Sequence, residues 1–358
     1  MAEEQADEKQ QAPEREEKEE PVFPDDYYKH DTKDAYKDIT SMPHHVREGY
    51  RLGSDVHLKG KVRNIVVAGM GGSGIAGDLL KEFLDYQDDI PLTVETARGY
   101  AAPKSVGPET LFIAISYSGN TEETLSMYKT ALRKGCQALS LSSGGKLEEL
   151  AKLNKHPHIR LPRGLQPRMA VAYLFFPLIK VLENAKVIKD ESESVKQLAD
   201  TLKHQHMTQK AIDLSAKCYE KTPLIWADQS FYPVAYRWKT QFNENAKTPA
   251  FSHSFSELDH NELLAFTNRN SSYHAVLLST DREHRRIAKR IGLTRDHLQT
   301  KGVSVTEMNI KGPLLKQMFT TIYLGDLTSY FLALRYETDP TPVMAIEQFK
   351  EKMGPFLI

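Results

Sequence analysis

Residues 64–80 read NIVVAGMGGSGIAGDLL: an apolar run behind Asn64, a loop of glycines carrying Ser73, and the opening of a helix. A short apolar run bounded by glycine fits a strand buried on both faces, and a helix directly after it fits the strand-loop-helix unit of a parallel sheet. The glycines let the backbone turn tightly and bring its N–H groups to the helix N-terminus, where unpaired donors and the helix dipole favour an anion. Residues 111–125, LFIAISYSGNTEETL, repeat this grammar with Ser116, Ser118 and Thr121 in the loop. Two such loops make an anion cradle.

The glycine loop alone leaves its ligand open. GMGGSG fits the dinucleotide pattern GxGxxG, with Glu95 at the end of the next expected strand to hold a ribose. The second loop points to a monoester phosphate, because three hydroxyls beside a helix N-terminus suit its three terminal oxygens and a dinucleotide has no need of them. Asn120 and Thr121 also suit a plain helix cap, with Glu122 and Glu123 complementing the dipole.

Working outward, strands are expected at 64–68, 91–95, 111–115, 136–140 and, as an edge, 158–161, with helices between them. The helix expected over 169–182 is apolar almost all round and belongs inside a domain or at a subunit contact. The pattern restarts after about residue 186, with strands at 223–227, 272–278 and 303–307, long helices between, and a last helix over 342–353. The expected fold class is α/β: two stacked α/β sandwich domains with parallel sheets, residues 27–185 and 186–358. Residues 1–26 hold 11 acidic and 3 basic side chains and little to bury, so a disordered acidic tail is expected there, either a solvated leader or an interaction arm.

Composition narrows the classes. At 358 residues, 40% apolar and 27% charged, the chain reads as a soluble protein of two ordinary domains. Beyond residue 26 it carries 37 acidic against 44 basic residues, a mild positive excess that suits a small anion and falls short of the basic stripe of a nucleic-acid binder. Cys136 and Cys218 stand far apart without metal-type spacing. No run approaches eighteen apolar residues, so no membrane partner is expected and the plain reading is cytoplasmic. The histidine pairs at His44 and His45, His156 and His158, and His204 and His206 lack ligand spacing and read as surface residues; no metal and no cofactor is expected.

GMGGSG paired with SYSGNTEET resembles the sugar isomerase (SIS) domain. With LQPRMAVAYLF (165–175), FNENAKTPAF (242–251), SELDHNE (256–262) and DPTPVMAIEQFK (339–350), the chain from about residue 40 onward resembles the bifunctional phosphoglucose/phosphomannose isomerases. That resemblance implies interconversion of glucose 6-phosphate, and of mannose 6-phosphate, with fructose 6-phosphate without a metal, by proton transfer through an enediolate. Such chemistry needs a carboxylate base, a cation for the enediolate oxygens and a group to open the sugar ring. The resemblance makes Glu244 the base, Arg168 the enediolate stabiliser, and His260 and Lys350 the ring-opening groups. Gly72, Ser73, Ser116, Ser118 and Thr121 are the expected phosphate holders. It also implies a homodimer in which the histidine crosses from the neighbouring subunit. An SIS-fold regulator that binds sugar phosphate without catalysis is the alternative, and it has no use for the base, the histidine or the lysine. The histidine motif departs from the family's usual form: Ser256 stands where a proline is usual, and Asp259 where asparagine is. Asp259 either raises the basicity of His260 or turns away from it.

Overall fold

The computed structural model describes residues 23–87, 90–203, 206–268 and 270–356. A 3-10 turn at Asp25–His30 leads into α1 (Ala35–Thr40) and α2 (Met42–Leu52). The first sheet is built by β1 (Asn64–Ala68), α3 (Gly71–Asp85), β2 (Thr93–Ala97), β3 (Thr110–Ile115), α4 (Glu122–Leu132), β4 (Gln137–Ser142), α5 (Gly145–Leu153) and β5 (His158–Arg160). A 3-10 turn at Pro167–Ala170 precedes α6 (Val171–Asn184), α7 (Ser192–Thr201) and α8 (His206–Cys218). The second sheet follows with β6 (Thr222–Ala227), α9 (Tyr232–Glu244), β7 (Phe251–Ser254), α10 (Phe255–Leu258), β8 (Tyr273–Ser279), α11 (Arg285–Thr300) and β9 (Ser304–Asn309). Helices α12 (Leu314–Arg335) and α13 (Met344–Met353) come last.

All strand pairs are parallel, in the orders β2-β1-β3-β4-β5 and β7-β6-β8-β9. The two halves thus repeat one winding. In the first sheet the connections leave β1 in opposite directions, so the carboxyl ends of β1 and β3 flank the crevice where open α/β sheets bind ligands. The inner strands β1, β3, β6 and β8 alternate between two cores. Ile65, Val67, Ile113 and Ile115 of the first sheet, with Ile225, Ala227, Val276 and Leu278 of the second, face one central core filled by α6, α9 and α12. Val66, Ala68, Phe112 and Ala114 face a smaller outer core under α4 and α5; Leu224, Trp226, Ala275 and Leu277 face another under α10 and α11. Burial on both faces is why these strands are continuous apolar runs.

Four expectations need correction. Residues 1–22 of the expected tail lie outside the described residues, but Phe23 is packed, its ring 5.1 Å from that of Phe331 and beneath the Arg335 guanidinium. Strand β7 was not expected: FSHS is short and polar, and it holds its place as an edge through the β6 ladder. Strand β2 begins two residues late, which puts exposed Glu95 in mid-strand, accepting a hydrogen bond from Ser105 and leaving the ribose role without its residue. His45 is no surface residue; it is buried against the Tyr173 ring, 4.7 Å between centroids, and burial pushes its pKa down to about 4.

Candidate active site

The two loops at the carboxyl ends of β1 and β3 are tied to each other. Ser73 Oγ accepts from the Tyr117 amide at 3.0 Å, so the glycine loop and the serine loop share a bond. Ser116 is fully buried and spends its hydroxyl inside the loop, donating to Thr121 Oγ1 at 2.9 Å and accepting from the Thr121 amide at 3.3 Å. Ser118 is exposed, its Oγ accepting from the Asn120 amide. The capping alternative finds no bond: neither Thr121 nor Met70 caps its helix through a side chain, and Asn120 Oδ1 instead accepts from the Lys146 amide at the start of α5. The first-turn amides of Gly71 and Gly72 in α3 and of Glu122 and Glu123 in α4 are therefore left without a side-chain cap. Gly119 has φ +73°, and a Cβ there would fall 1.8 Å from the Gly144 carbonyl oxygen, so the turn requires glycine.

These loops also seat Arg168. A Cβ on Gly72 would lie 2.8 Å from the Arg168 nitrogen, so only glycine lets the Pro167–Ala170 turn rest on the glycine loop. Tyr117 Oη donates to the Pro162 carbonyl and accepts from the Leu165 amide, holding the lead into the same turn. The side chain of Arg168 is buried and fully engaged. Its Nε donates to Asn245 Oδ1 at 2.7 Å, its Nη2 to the carbonyls of Pro340 and Thr341 at 2.8 and 3.0 Å, and its Nη1 stands 3.4 Å from Glu244 Oε2. Burial pulls the guanidinium below its usual pKa, and the Glu244 charge opposes that pull.

Glu244 ends α9, and its side chain keeps about a quarter of its surface open. The carboxylate therefore has a cation behind it and an open front. Lys247 approaches the same place, donating to the Glu244 and Pro340 carbonyls, and its pKa is pushed down to about 8 by burial and by the Arg168 charge. The carbonyls of Pro340 and Thr341 are presented by a turn that Asp339 shapes, through a bond from the Thr341 amide and another from Thr32. Sequence reasoning missed Tyr117, Asn245 and Lys247; the last two lie inside the FNENAKTPAF motif, which was the available signal. Among the described residues no group of three or more His, Cys, Asp or Glu could hold a metal ion, and no helix is long and apolar enough to cross a membrane.

This geometry can be set beside known proteins. The family model described as the bacterial phospho-glucose isomerase C-terminal SIS domain matches residues 207–353. The bifunctional phosphoglucose/phosphomannose isomerase of Caldicellulosiruptor bescii is 35% identical over 336 residues, covering 89% of this chain and 98% of that protein. The chain belongs to the bifunctional phosphoglucose/phosphomannose isomerase family. The member from Thermoplasma acidophilum is 37% identical, covering 82% of this chain and 91% of that protein. Among solved structures, tagatose-6-phosphate ketose/aldose isomerase from Escherichia coli superposes with a TM-score of 0.65 at 14% identity, covering 86% and 94% of the two chains, a likeness of fold.

The remaining family motifs fall elsewhere. His260 is exposed in the turn after α10, and its imidazole makes no hydrogen bond among the described residues. In the chain, Glu244 precedes β7 and His260 follows it. Asp259 turns away from His260 into α11, accepting from Arg290 Nη1 and Thr294 Oγ1, each at 2.9 Å. Lys350 is exposed on α13, which buries none of its residues. That helix starts just beyond the Pro340 and Thr341 carbonyls, and Phe356 beyond its end rests 5.6 Å from the Tyr100 ring, whose hydroxyl bonds Glu122 of α4. Helix α13 therefore spans from the Arg168 side of the site to the serine-loop helix.

Proposed function

We propose that this chain interconverts glucose 6-phosphate and mannose 6-phosphate with fructose 6-phosphate through an enediolate. The observation that carries the reading is a half-open carboxylate, Glu244, backed by the buried Arg168 guanidinium on a turn that rests against the phosphate-type loops. The first-turn amides of α3 and α4, with Gly72, Ser73, Ser118 and Thr121, hold the phosphate, and Ser116 keeps Thr121 in place. Glu244 carries the proton between the first two carbons. Arg168 supplies fixed positive charge to the enediolate oxygens, where a preorganised cation is most effective. No net oxidant or reductant is consumed, because the proton removed from one carbon is returned to its neighbour.

Ring opening falls to Lys350 and His260. His260, exposed and, among the described residues, with no bond to the Arg168–Glu244 cluster, serves the site of a second copy, and the working unit is a homodimer. The exposed apolar side chains Met344, Ile346, Phe349 and Met353 of α13 support such a contact. Domain limits near 27–185 and 186–358 and a cytoplasmic location complete the reading. Purified protein assayed on glucose 6-phosphate and mannose 6-phosphate, with and without EDTA, tests it. Turnover of both that survives EDTA is expected; absence of turnover on either aldose sinks the isomerase reading.

A further inference from the structure

Arg168 is held from behind by a ladder of buried polar groups that none of the family motifs contains in full. Arg237, Gln241 and Asn245 recur every fourth residue along α9, so they line one face of that helix. That face lies against α12, and all three side chains are at most 1% exposed. Asp326 of α12, 1% exposed, joins them: one carboxylate oxygen accepts from Arg237 Nη2 at 2.7 Å, the other from Gln241 Nε2 at 2.9 Å. The Asp326 carbonyl accepts from Ser329 Oγ at 2.8 Å, and Ser329 Oγ accepts from Asn245 Nδ2 at 2.9 Å.

The ladder has two outlets, and both reach Arg168. Arg237 Nη2 donates its second hydrogen to the Arg168 carbonyl at 2.9 Å, fixing the backbone of the turn. Asn245, oriented by Ser329, gives Oδ1 to Arg168 Nε at 2.7 Å, fixing the side chain. Two guanidinium groups are thereby kept close together in the buried interior, and the Asp326 carboxylate of α12 bonds that of Arg237. The depth of the helix contact is set beside it: a Cβ on Gly325 would come within 2.4 Å of the Trp238 ring, whose Nε1 donates to the Thr321 carbonyl. A buried ion pair is a weak stabiliser compared with well-packed apolar side chains, so its presence here argues for geometry more than for stability.

We infer that the ladder is a positioning device of the isomerase with two arms: the Asp326 carboxylate fixes the Arg168 backbone through Arg237, and the Ser329–Asn245 link fixes the Arg168 guanidinium beside Glu244. The inference rests on the proposed isomerase reading. Its consequence is selective. Phosphate is held by loops in the other half of the chain, so loss of the ladder lowers kcat and leaves KM nearly unchanged.

Two variants test this on the full-length protein with glucose 6-phosphate. In Asp326→Asn the ladder loses its charge, and kcat per folded molecule falls at least about tenfold with KM within about threefold, since small misplacement of a catalytic group is costly in rate. In Ser329→Ala the ion pair stays and only the orientation of Asn245 is freed; kcat falls less, and KM again holds. Circular dichroism and thermal melts set the folded fraction for each, and if Asp326→Asn does not fold, Ser329→Ala decides alone. Wild-type kcat per folded molecule in Ser329→Ala, or KM rising in step with the loss of kcat in either variant, overturns the positioning role. The wild-type control keeps the two ideas apart, because failure of the parent enzyme to turn over sugar phosphate sinks the isomerase reading itself.

Discussion

Arg168 Nη1 and Glu244 Oε2 stand 3.4 Å apart, the first on a side chain 2% exposed and the second on one 26% exposed. The pair is asymmetric: the cation is locked by three further contacts to oxygens, from Asn245, Pro340 and Thr341, whereas the carboxylate has room to meet a ligand. A proton carrier needs that freedom and a charge stabiliser does not.

Glu244→Gln keeps the shape and removes the base. We expect kcat to fall by about 100- to 10,000-fold, the usual worth of a positioned general base, while sugar phosphate still raises the melting temperature because the phosphate loops are untouched. Near-wild-type turnover with intact ligand stabilisation assigns the proton transfer to another group.

Gly72→Ala tests how the phosphate loop seats the catalytic turn. The added methyl meets the Arg168 nitrogen at 2.8 Å and the Pro167 carbonyl carbon at 2.9 Å, and both are backbone atoms with nowhere to go. Displacing Arg168 by about 1 Å costs on the order of 100-fold in kcat/KM. Gly107→Ala is the control, since a Cβ there meets nothing within 4 Å. Equal activity in the two variants removes the seating argument.

The fold and the loops were legible in sequence because their physics is local. The runs NIVVA and LFIAI are apolar on both faces only because helices cover both, and the glycines and hydroxyls lie beside them in the chain. Strand β7 was hidden because FSHS owes its state to a neighbour and not to its own pattern. Arg237, Gln241 and Asp326 were hidden for the opposite reason. Each is a residue type usually found in water, and only the approach of α9 to α12 at Gly325 buries them. Asp259 shows the limit in one residue: sequence placed it beside His260, but its direction depends on Arg290 and Thr294, far along the chain.

Acid stability follows from two buried imidazoles. Burial pushes His45 and His274 from 6.5 down to about 4, with His274 held between Ser304 Oγ and Thr306 Oγ1. Their folded-state pKa values are depressed, so below 6.5 the unfolded chain binds more protons and stability falls as pH drops from about 6.5 to 4. Each contributes a loss of about 3 kcal/mol over that window. Urea midpoints measured between pH 7 and pH 4.5 should fall for the wild type and fall less steeply for His274→Gln. An unchanged slope in that variant shows that His274 does not stay neutral in the folded protein.

Asp259→Asn separates a structural from a chemical role for the acid beside His260, the histidine proposed for ring opening. Asp259 is bonded to Arg290 and Thr294 of α11, so its charge is spent on holding the turn to that helix. Loss of a charged partner in such a place costs about 1–3 kcal/mol, read as a melting temperature lowered by a few degrees. The pH profile of kcat for glucose 6-phosphate should keep its limbs, because the carboxylate points away from the imidazole. A limb attributable to His260 that moves to lower pH in Asp259→Asn, with unchanged stability, places the carboxylate against the ring in the working enzyme.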